Sequence, residues 1–367
     1  MKNIRRIVCC LLFIAANVGA RERWDPEKAN AWRERTGWLV GANFIPSTAI
    51  NQLEMWQEET FDPETIDREL GFSAALGLNS MRVFLHHLLW EQDREGFLRR
   101  LDRFLEIAQR HRIGVMLVLF DGVWDPEPRL GEQRAPRPHV HNSGWVQSPG
   151  AAVLGDPQRH DELRDYVYGV VYRYRDDARV HAWDLFNEPD NRNEGSYGDR
   201  ELKDKPEKAE MLLRKAFAWA READPSQPLT AGVWIGPWPE EKPLAPIERL
   251  MLEESDVVSF HSYGPLPEVR ERVEQLRRYG RPILCTEYMA RPQGSRFDPH
   301  LAYFKDEQIA AYNWGLVRGK TQTIYPWDSW RKAYAAEPDV WFHDIFRPDG
   351  TPYDSREADY IKTVTSR

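Results

Sequence analysis

The chain has little cysteine, since only three of its 367 residues are of this type. Two of them, Cys9 and Cys10, lie in an apolar run that follows a basic start and ends in small residues. This pattern is typical of a secretory signal peptide with cleavage after Ala20, the alternative being a buried N-terminal helix. We therefore expect residues 1–20 to be a signal peptide and the protein to be secreted or periplasmic.

After removal of such a signal, Cys285 is the one cysteine that remains. The exported chain then cannot form an internal disulfide, and its core must hold it together. We interpret Cys285 as a small buried residue rather than a nucleophile, because no matching His–Asn arrangement accompanies it.

The chain also lacks an excess of positive charge and a long hydrophobic run. Its formal net charge is −8, so no basic surface is left over for phosphates, and we expect no nucleic-acid partner. No apolar run reaches the ~18 residues of a membrane span, so we expect no membrane association after signal cleavage. In contrast, 15 tryptophans are present, and such rings suit a protein that handles sugars or other ring-shaped ligands.

Predicted strands and amphipathic helices alternate along the mature chain. Eight apolar segments have the character of buried strands, namely residues 37–44, 80–85, 114–120, 181–187, 229–235, 257–263, 282–289 and 322–327. The clearest helical patterns lie at residues 62–77, 94–111, 158–175 and 207–222. The first of these begins with an N-cap, Asp62, and a first-turn proline, Pro63.

Eight strand–helix units in about 300 residues predict an α/β fold, the (β/α)8 TIM barrel. Near-continuous apolar strands are typical of a parallel sheet that is covered on both faces. An open doubly wound sheet is the alternative, but no glycine fingerprint follows the first strand. Because no linker divides the chain, we expect residues 21–367 to form a single catalytic domain with elongated loops.

Functional side chains of such barrels lie at the C-terminal ends of the strands. The predicted strand ends here have polar and aromatic residues, namely Arg82, Asn187, Glu188, His261, Tyr263, Glu287 and Trp327. Two facing carboxyls with aromatic platforms are the arrangement that glycoside cleavage needs, since one protonates the leaving oxygen while the other attacks the anomeric carbon or activates water. A separation of ~5–5.5 Å gives retention and ~6.5–9.5 Å gives inversion.

These motifs resemble glycoside hydrolase family 5, the cellulase family within clan A of retaining (β/α)8 glycosidases. The likeness covers roughly residues 37–330 and is carried by Leu185-Phe186-Asn187-Glu188-Pro189 and Thr286-Glu287-Tyr288. The resemblance implies a retaining β-glycoside hydrolase that cleaves a β-linked oligo- or polysaccharide, of the mannan or glucan type, by double displacement.

The resemblance also implies roles for single residues. Glu188 is expected to be the acid/base and Glu287 the nucleophile. Among the supporting residues, Asn187 is expected to bind the sugar 2-hydroxyl, Arg82 and Tyr263 to contact Glu287, His261 to lie near the acid/base or substrate, and Trp327 to form the floor of the pocket.

The sequence departs from the family where the third strand ends, because Asp121 stands where many members have a sugar-binding histidine. We expect Asp121, His86 or His87 to take that duty. The following loop, about 121–156, is long and has four aromatic or imidazole side chains, Trp124, His139, His141 and Trp145, of which Trp124 is our first candidate for a substrate contact. This loop and residues 190–205 are candidates for a wall on one side of the site, which would favour cleavage at chain ends.

Other interpretations remain open at this point. A barrel that binds glycans without cutting them would use the same aromatic residues, and a transglycosylase would use the same two carboxyls. The candidate residues also have structural readings, such as a helix cap for Glu188 or an ion pair between Arg82 and Glu287. His139 and His141 lack completing ligands, so we expect no metal and no cofactor. The expected partner is a carbohydrate substrate. The oligomeric state is not indicated, and we expect the stretch after about 335 to pack outside the barrel.

Overall fold

The computed structural model describes residues 20–366, so nearly all of the predicted signal peptide lies outside the described residues. Within this range eight parallel strands form one sheet in the order β5-β4-β3-β2-β1-β8-β7-β6. A bridge between Val233 and Phe260 joins the two edges beyond β5 and β6. The predicted (β/α)8 barrel is therefore confirmed. The strands are β1 (Val40–Asn43), β2 (Ser80–Phe84), β3 (Gly114–Asp121), β4 (Val180–Asn187), β5 (Leu229–Thr230), β6 (Val258–His261), β7 (Ile283–Tyr288) and β8 (Ala310–Trp314).

Helices surround the sheet and connect its strands. They are α1 (Pro26–Thr36), α2 (Gln52–Trp56), α3 (Pro63–Ala75), α4 (His87–Arg110), α5 (Ala151–Leu154), α6 (Arg164–Tyr174), α7 (Lys205–Glu222), α8 (Pro246–Glu254), α9 (Leu266–Arg277), α10 (Phe297–Asp306) and α11 (Ser355–Thr365), with 3-10 turns at His160–Leu163, Arg291–Gln293 and Trp327–Trp330. The N-cap prediction holds for α3, where the Asp62 side chain accepts from the Thr65 amide. No helix among residues 20–366 has the length and hydropathy of a membrane span.

One end of the barrel is closed by α1. Its buried residues Ala29 and Trp32 belong to the same apolar cluster as Met116, Leu284 and Tyr312 of the strands. Closure at this end leaves the opposite end, where the strands finish, as the place for a site.

The predicted eighth strand was wrong. Residues 322–327 form a loop that leads into the 3-10 turn at Trp327–Trp330, while β8 lies earlier, at Ala310–Trp314. Pro326 has no backbone N–H for a sheet ladder, and the true strand is a short segment whose apolar pattern is interrupted by Asn313. We expected the stretch after about residue 335 to pack outside the barrel. This is true of α11, which packs on α10, but His343 from the same stretch lies at the mouth of the barrel.

Candidate active site

Glu188 lies immediately after β4, where the backbone turns sharply. Its φ is +39°, a left-handed conformation that residues other than glycine rarely adopt. The end of β3 packs tightly against this turn, because a Cβ on Gly122 would lie 2.1 Å from the Glu188 carbonyl oxygen. A glycine is therefore required at position 122 for the ends of β3 and β4 to approach each other this closely.

The Glu188 carboxyl group is buried, and its two hydrogen-bond partners are neutral side chains. Oε1 lies 2.8 Å from Nδ1 of His261, and Oε2 accepts from Asn191 Nδ2 at 2.7 Å. Burial raises the pKa of Glu188 to about 7, although the Asn191 amide acts in the opposite direction. Burial also lowers the pKa of His261 to about 4, so the imidazole is neutral near pH 7. Glu188 is thus the member of the site suited to hold a proton.

Glu287, in β7, has charged and polar partners on both oxygens. Arg82 Nη1 donates to Oε1 at 2.9 Å, and the Tyr263 hydroxyl donates to Oε2 at 2.7 Å. Burial raises the pKa of Glu287, while Arg82 and Tyr263 oppose that rise because both stabilise the ionised form. Of the two carboxyls, Glu287 is the one that a cationic side chain, Arg82, contacts directly, and this contact stabilises its ionised form.

The two carboxyl groups lie close together across the barrel. One oxygen of Glu188, one of Glu287 and a ring nitrogen of His261 all fall within 4.8 Å of one another. Nδ1 of His261 lies 3.5 Å from Glu287 Oε2, so the imidazole stands between the two groups. Such a trio has ligand types that a divalent cation takes, but both oxygens of Glu287 already accept hydrogen bonds and Arg82 places a cation beside them.

Arg82 is the fully buried hub beneath the site. Besides Glu287 it binds Asp184 through Nε and Nη2, at 3.1 and 2.8 Å, and donates to Asn43 Oδ1 and Asn187 Oδ1, each at 2.7 Å. Sequence reasoning missed Asn43 and Asp184. Both are polar residues in otherwise apolar strands, and this could have revealed them, because a polar side chain is costly to bury without a partner.

Asp121 lies behind the site rather than at its surface. It accepts from Asn187 Nδ2 at 3.0 Å, Trp145 Nε1 at 2.6 Å and Gln52 Nε2 at 3.0 Å, and it does not line the cavity around the carboxyls. The expected sugar contact of Asp121 was therefore wrong, because these donors and the Val123 amide, at 3.1 Å, surround the carboxylate, which in turn holds Asn187 in place. Burial raises the pKa of Asp121 to about 7.

His86 and His87, the alternatives to Asp121, do not line the cavity around the carboxyls either. Nε2 of His86 lies 2.9 Å from the Gln147 carbonyl oxygen, and Nδ1 of His87 lies 3.0 Å from Ser148 Oγ. Both rings therefore hold the long loop after β3. His139 and His141 each place Nδ1 against a backbone carbonyl, at 2.6 Å from Tyr334 and 2.8 Å from Tyr325, so they do not converge on a common point.

A cavity lies above the carboxyl pair. Predicted residues in its lining are Trp124, Asn187, Glu188, Tyr263, Glu287 and Trp327, while Val123, His141, Asn142, Asn191, Trp234, Trp314 and His343 complete it. Trp327 reaches it from the 3-10 turn after β8 and not from a strand end, and its ring packs edge-on against Tyr263 at 5.0 Å between centroids. Trp314 was missed because the strand that it ends was misplaced.

Comparison with known proteins agrees with this geometry. A family model described as Glycosyl hydrolase family 10 matches residues 139–232. No curated protein matches the chain. Solved structures with the same fold include the GH5_18 protein of Streptomyces cattleya in complex with GlcNAc, at 14% identity and a TM-score of 0.59, over 90% of this chain and 80% of that one.

Two mannanases are similar in the same way. The β-mannanase of the blue mussel Mytilus edulis has 14% identity and a TM-score of 0.58, over 90% of this chain and 92% of its own. The endo-1,4-β-D-mannanase of Thermotoga petrophila RKU-1 has 15% identity and a TM-score of 0.55, over 90% and 99%. At such identities the likeness shows the fold. Together with the family match it supports a clan A glycosidase, but family 5 in particular is not confirmed.

Proposed function

We propose that this protein is a retaining β-glycosidase that cleaves a β-linked oligo- or polysaccharide of the mannan or glucan type. The observation that carries the proposal is the carboxyl pair, whose oxygens approach within 4.8 Å. This approach is nearer to the ~5–5.5 Å carboxyl separation of retaining enzymes than to the ~6.5–9.5 Å of inverting enzymes, and it suits direct attack by one carboxylate. The signal-like segment at residues 1–20 supports action outside the cytoplasm.

The two steps follow from the surroundings of each group. In the first, Glu287 Oε attacks the anomeric carbon, the bond to the leaving oxygen breaks, and Glu188 gives that oxygen its proton. In the second, Glu188 takes a proton from water, whose oxygen attacks the anomeric carbon and releases Glu287 as a carboxylate. Arg82 and Tyr263 stabilise the anion of Glu287 before and after the cycle.

Asn187 is held ready for the sugar. Its Oδ1 accepts from Arg82 and its Nδ2 donates to Asp121, so its orientation is fixed from below while it lines the cavity. We assign it the contact with the 2-hydroxyl, because a hydrogen bond there can strengthen in the transition state. Trp124, Trp234, Trp314 and Trp327 supply the apolar surface against which a pyranose ring packs.

The test uses substitutions that keep size and remove acidity. On an unactivated β-glycoside, Glu188→Gln and Glu287→Gln are each expected to lose at least about a thousandfold in turnover. Glu69→Gln is the matched control, because Glu69 is also buried with a pKa raised to about 7 but lies on α3, outside the barrel. Proton NMR of the first product then reports its anomeric form. Wild-type turnover in either active-site variant, or inversion at the anomeric carbon, would reject the proposal.

A further inference from the structure

A second cavity continues from the first on the side of β6 and α9. Glu188, Trp234, Tyr263 and Trp327 line both spaces, while Glu287 lines only the first. The anomeric carbon must lie beside Glu287, and the leaving oxygen must lie beside Glu188. On the proposed function, the first cavity therefore receives the sugar that is transferred, and the second receives the leaving group.

On the side away from the second cavity, the first cavity is closed by two loops that contact each other. We call these loops, residues 139–145 and 321–330, the mouth bridge. The backbone amide of Asn142 donates to the Thr321 carbonyl at 2.8 Å, and that of His141 donates to Ser329 Oγ at 3.0 Å. In return, Trp330 Nε1 donates to the His141 carbonyl at 2.8 Å. The loops after β3 and β8 are thus joined across the barrel mouth.

Aromatic packing reinforces the mouth bridge. Trp124 stacks on Trp330 with 6.1 Å between centroids and 13° between planes. Tyr197, from the loop after β4, packs edge-on against Trp330 with 5.1 Å between ring centroids. The guanidinium of Arg137 lies 4.9 Å from the Trp330 ring centroid. The wall therefore involves three loops, and residues 190–205 contribute to it as the sequence suggested.

Asn142 stands on the inner side of this wall with an unusual lack of partners. Its side chain is 1% exposed, lines the first cavity, and has no hydrogen-bond partner for either Oδ1 or Nδ2 among the described residues. Nε2 of His343, which lines the same cavity, is likewise buried and unpartnered. Buried polar groups without partners are costly, so a donor and acceptor pair here indicates a polar ligand that completes them.

Beyond Asn142 the mouth is mostly filled. Asn142 and Trp314 separate the first cavity from a narrow space over β1, which Phe84, Trp145 and Val317 line. A sugar chain cannot run straight through this side without displacing the mouth bridge. The second cavity, in contrast, is bordered by polar side chains such as Gln293 and Arg272 and opens outward.

From these features, and resting on the proposed function, we infer that the protein acts from chain ends. The first cavity takes the single sugar at the non-reducing end, Asn142 binds the free hydroxyls that mark that end, and the rest of the chain leaves through the second cavity. Each cycle then releases one monosaccharide from a β-linked oligosaccharide.

The test follows the first products from labelled hexasaccharides. β-1,4-Mannohexaose, β-1,4-glucohexaose and β-1,3-glucohexaose, each tagged at the reducing end, are separated by chromatography at low conversion. We expect a tagged pentasaccharide and an untagged monosaccharide. Tagged di- or trisaccharides as first products would overturn the inference while leaving the glycosidase proposal intact. Cleavage of aryl β-glycosides without any hexasaccharide would also overturn it, and cleavage of nothing would reject both.

Asn142→Ala examines the end-binding residue. We expect kcat/KM on the hexasaccharide to fall by at least about tenfold, since a buried hydrogen-bonding pair is lost, while the melting temperature stays the same or rises. The matched control is Asn79→Ala, because Asn79 accepts from the Val40 amide and donates to the Trp38 carbonyl far from the site. The control should melt earlier and keep its activity. Full activity in a folded Asn142→Ala variant would contradict the role of Asn142.

Discussion

The hydroxyl of Tyr263 offers a direct test of how the nucleophile is kept ionised. It donates to Glu287 Oε2 at 2.7 Å, and this contact opposes the rise in the Glu287 pKa that burial causes. Tyr263→Phe removes the hydroxyl but keeps the ring that packs edge-on against Trp327. The variant therefore changes one hydrogen bond and leaves the packing of the site in place.

The expected size of the effect comes from the charge on the acceptor. A hydrogen bond to a charged group contributes about 1.5–3 kcal/mol, and 1.36 kcal/mol corresponds to one pKa unit. Because Glu287 faces the cavity, water can replace part of the lost bond, so we take the lower end of this range. Loss of a group that favours the anion raises the pKa. We therefore expect the acid limb of the kcat/KM profile to move up by about one unit.

The assay is the pH dependence of kcat/KM on an aryl β-glycoside, since this ratio reports the free enzyme. Tyr166→Phe is the matched control, because its hydroxyl donates to the neutral Leu119 carbonyl at 2.9 Å on the outer side of the barrel. The control should lose about 0.5–1.5 kcal/mol of stability and keep the wild-type pH profile. An acid limb that stays in place in Tyr263→Phe, or moves to lower pH, would refute the reasoning.

Two further outcomes follow from the same contacts. Asn191→Ala is expected to move the basic limb of the profile upward, because the Asn191 amide lowers the pKa of Glu188 that burial raises to about 7; a limb that moves down in the same assay would contradict this. Burial raises the pKa of the Cys285 thiol, so iodoacetamide should leave the native enzyme active, and Cys285→Ala should keep wild-type turnover at a stability cost of about 1 kcal/mol. Inactivation of the folded enzyme by iodoacetamide would count against that assignment.

Much of the architecture could be predicted because its signals are local. Helix periodicity and apolar runs indicated the barrel, and seven of the predicted strands overlap those observed. The eighth failed because Asn313 interrupts the apolar pattern of β8, while residues 322–327 have a pattern of apolar residues that is typical of a strand but form a loop. Trp327 still lines the cavity, although a 3-10 turn delivers it there.

The same reasoning explains why some residues of the site were predicted and others were not. Glu188, Glu287 and their partners follow predicted strands, so barrel topology alone placed them at one end. Asp121 was assigned to the sugar because the sequence shows its position at a strand end but does not show the four hydrogen-bond donors that surround its carboxylate. Asn142 was not singled out at all, since nothing in a loop sequence marks a side chain that will be buried without partners.

The sequence alone was enough to predict the alternation of strands and helices and the two acidic side chains at strand ends. Each of these features depends on residues that are neighbours along the chain. The tertiary structure alone decided the distance between those acids, the burial of Glu188 against His261 and Asn191, and the contact of Arg82 with Glu287. It also decided the closure of the mouth by loops that lie far apart along the chain. These properties depend on contacts between residues as distant as Arg82 and Glu287, separated by 205 positions, and only folding brings such groups out of water and into contact.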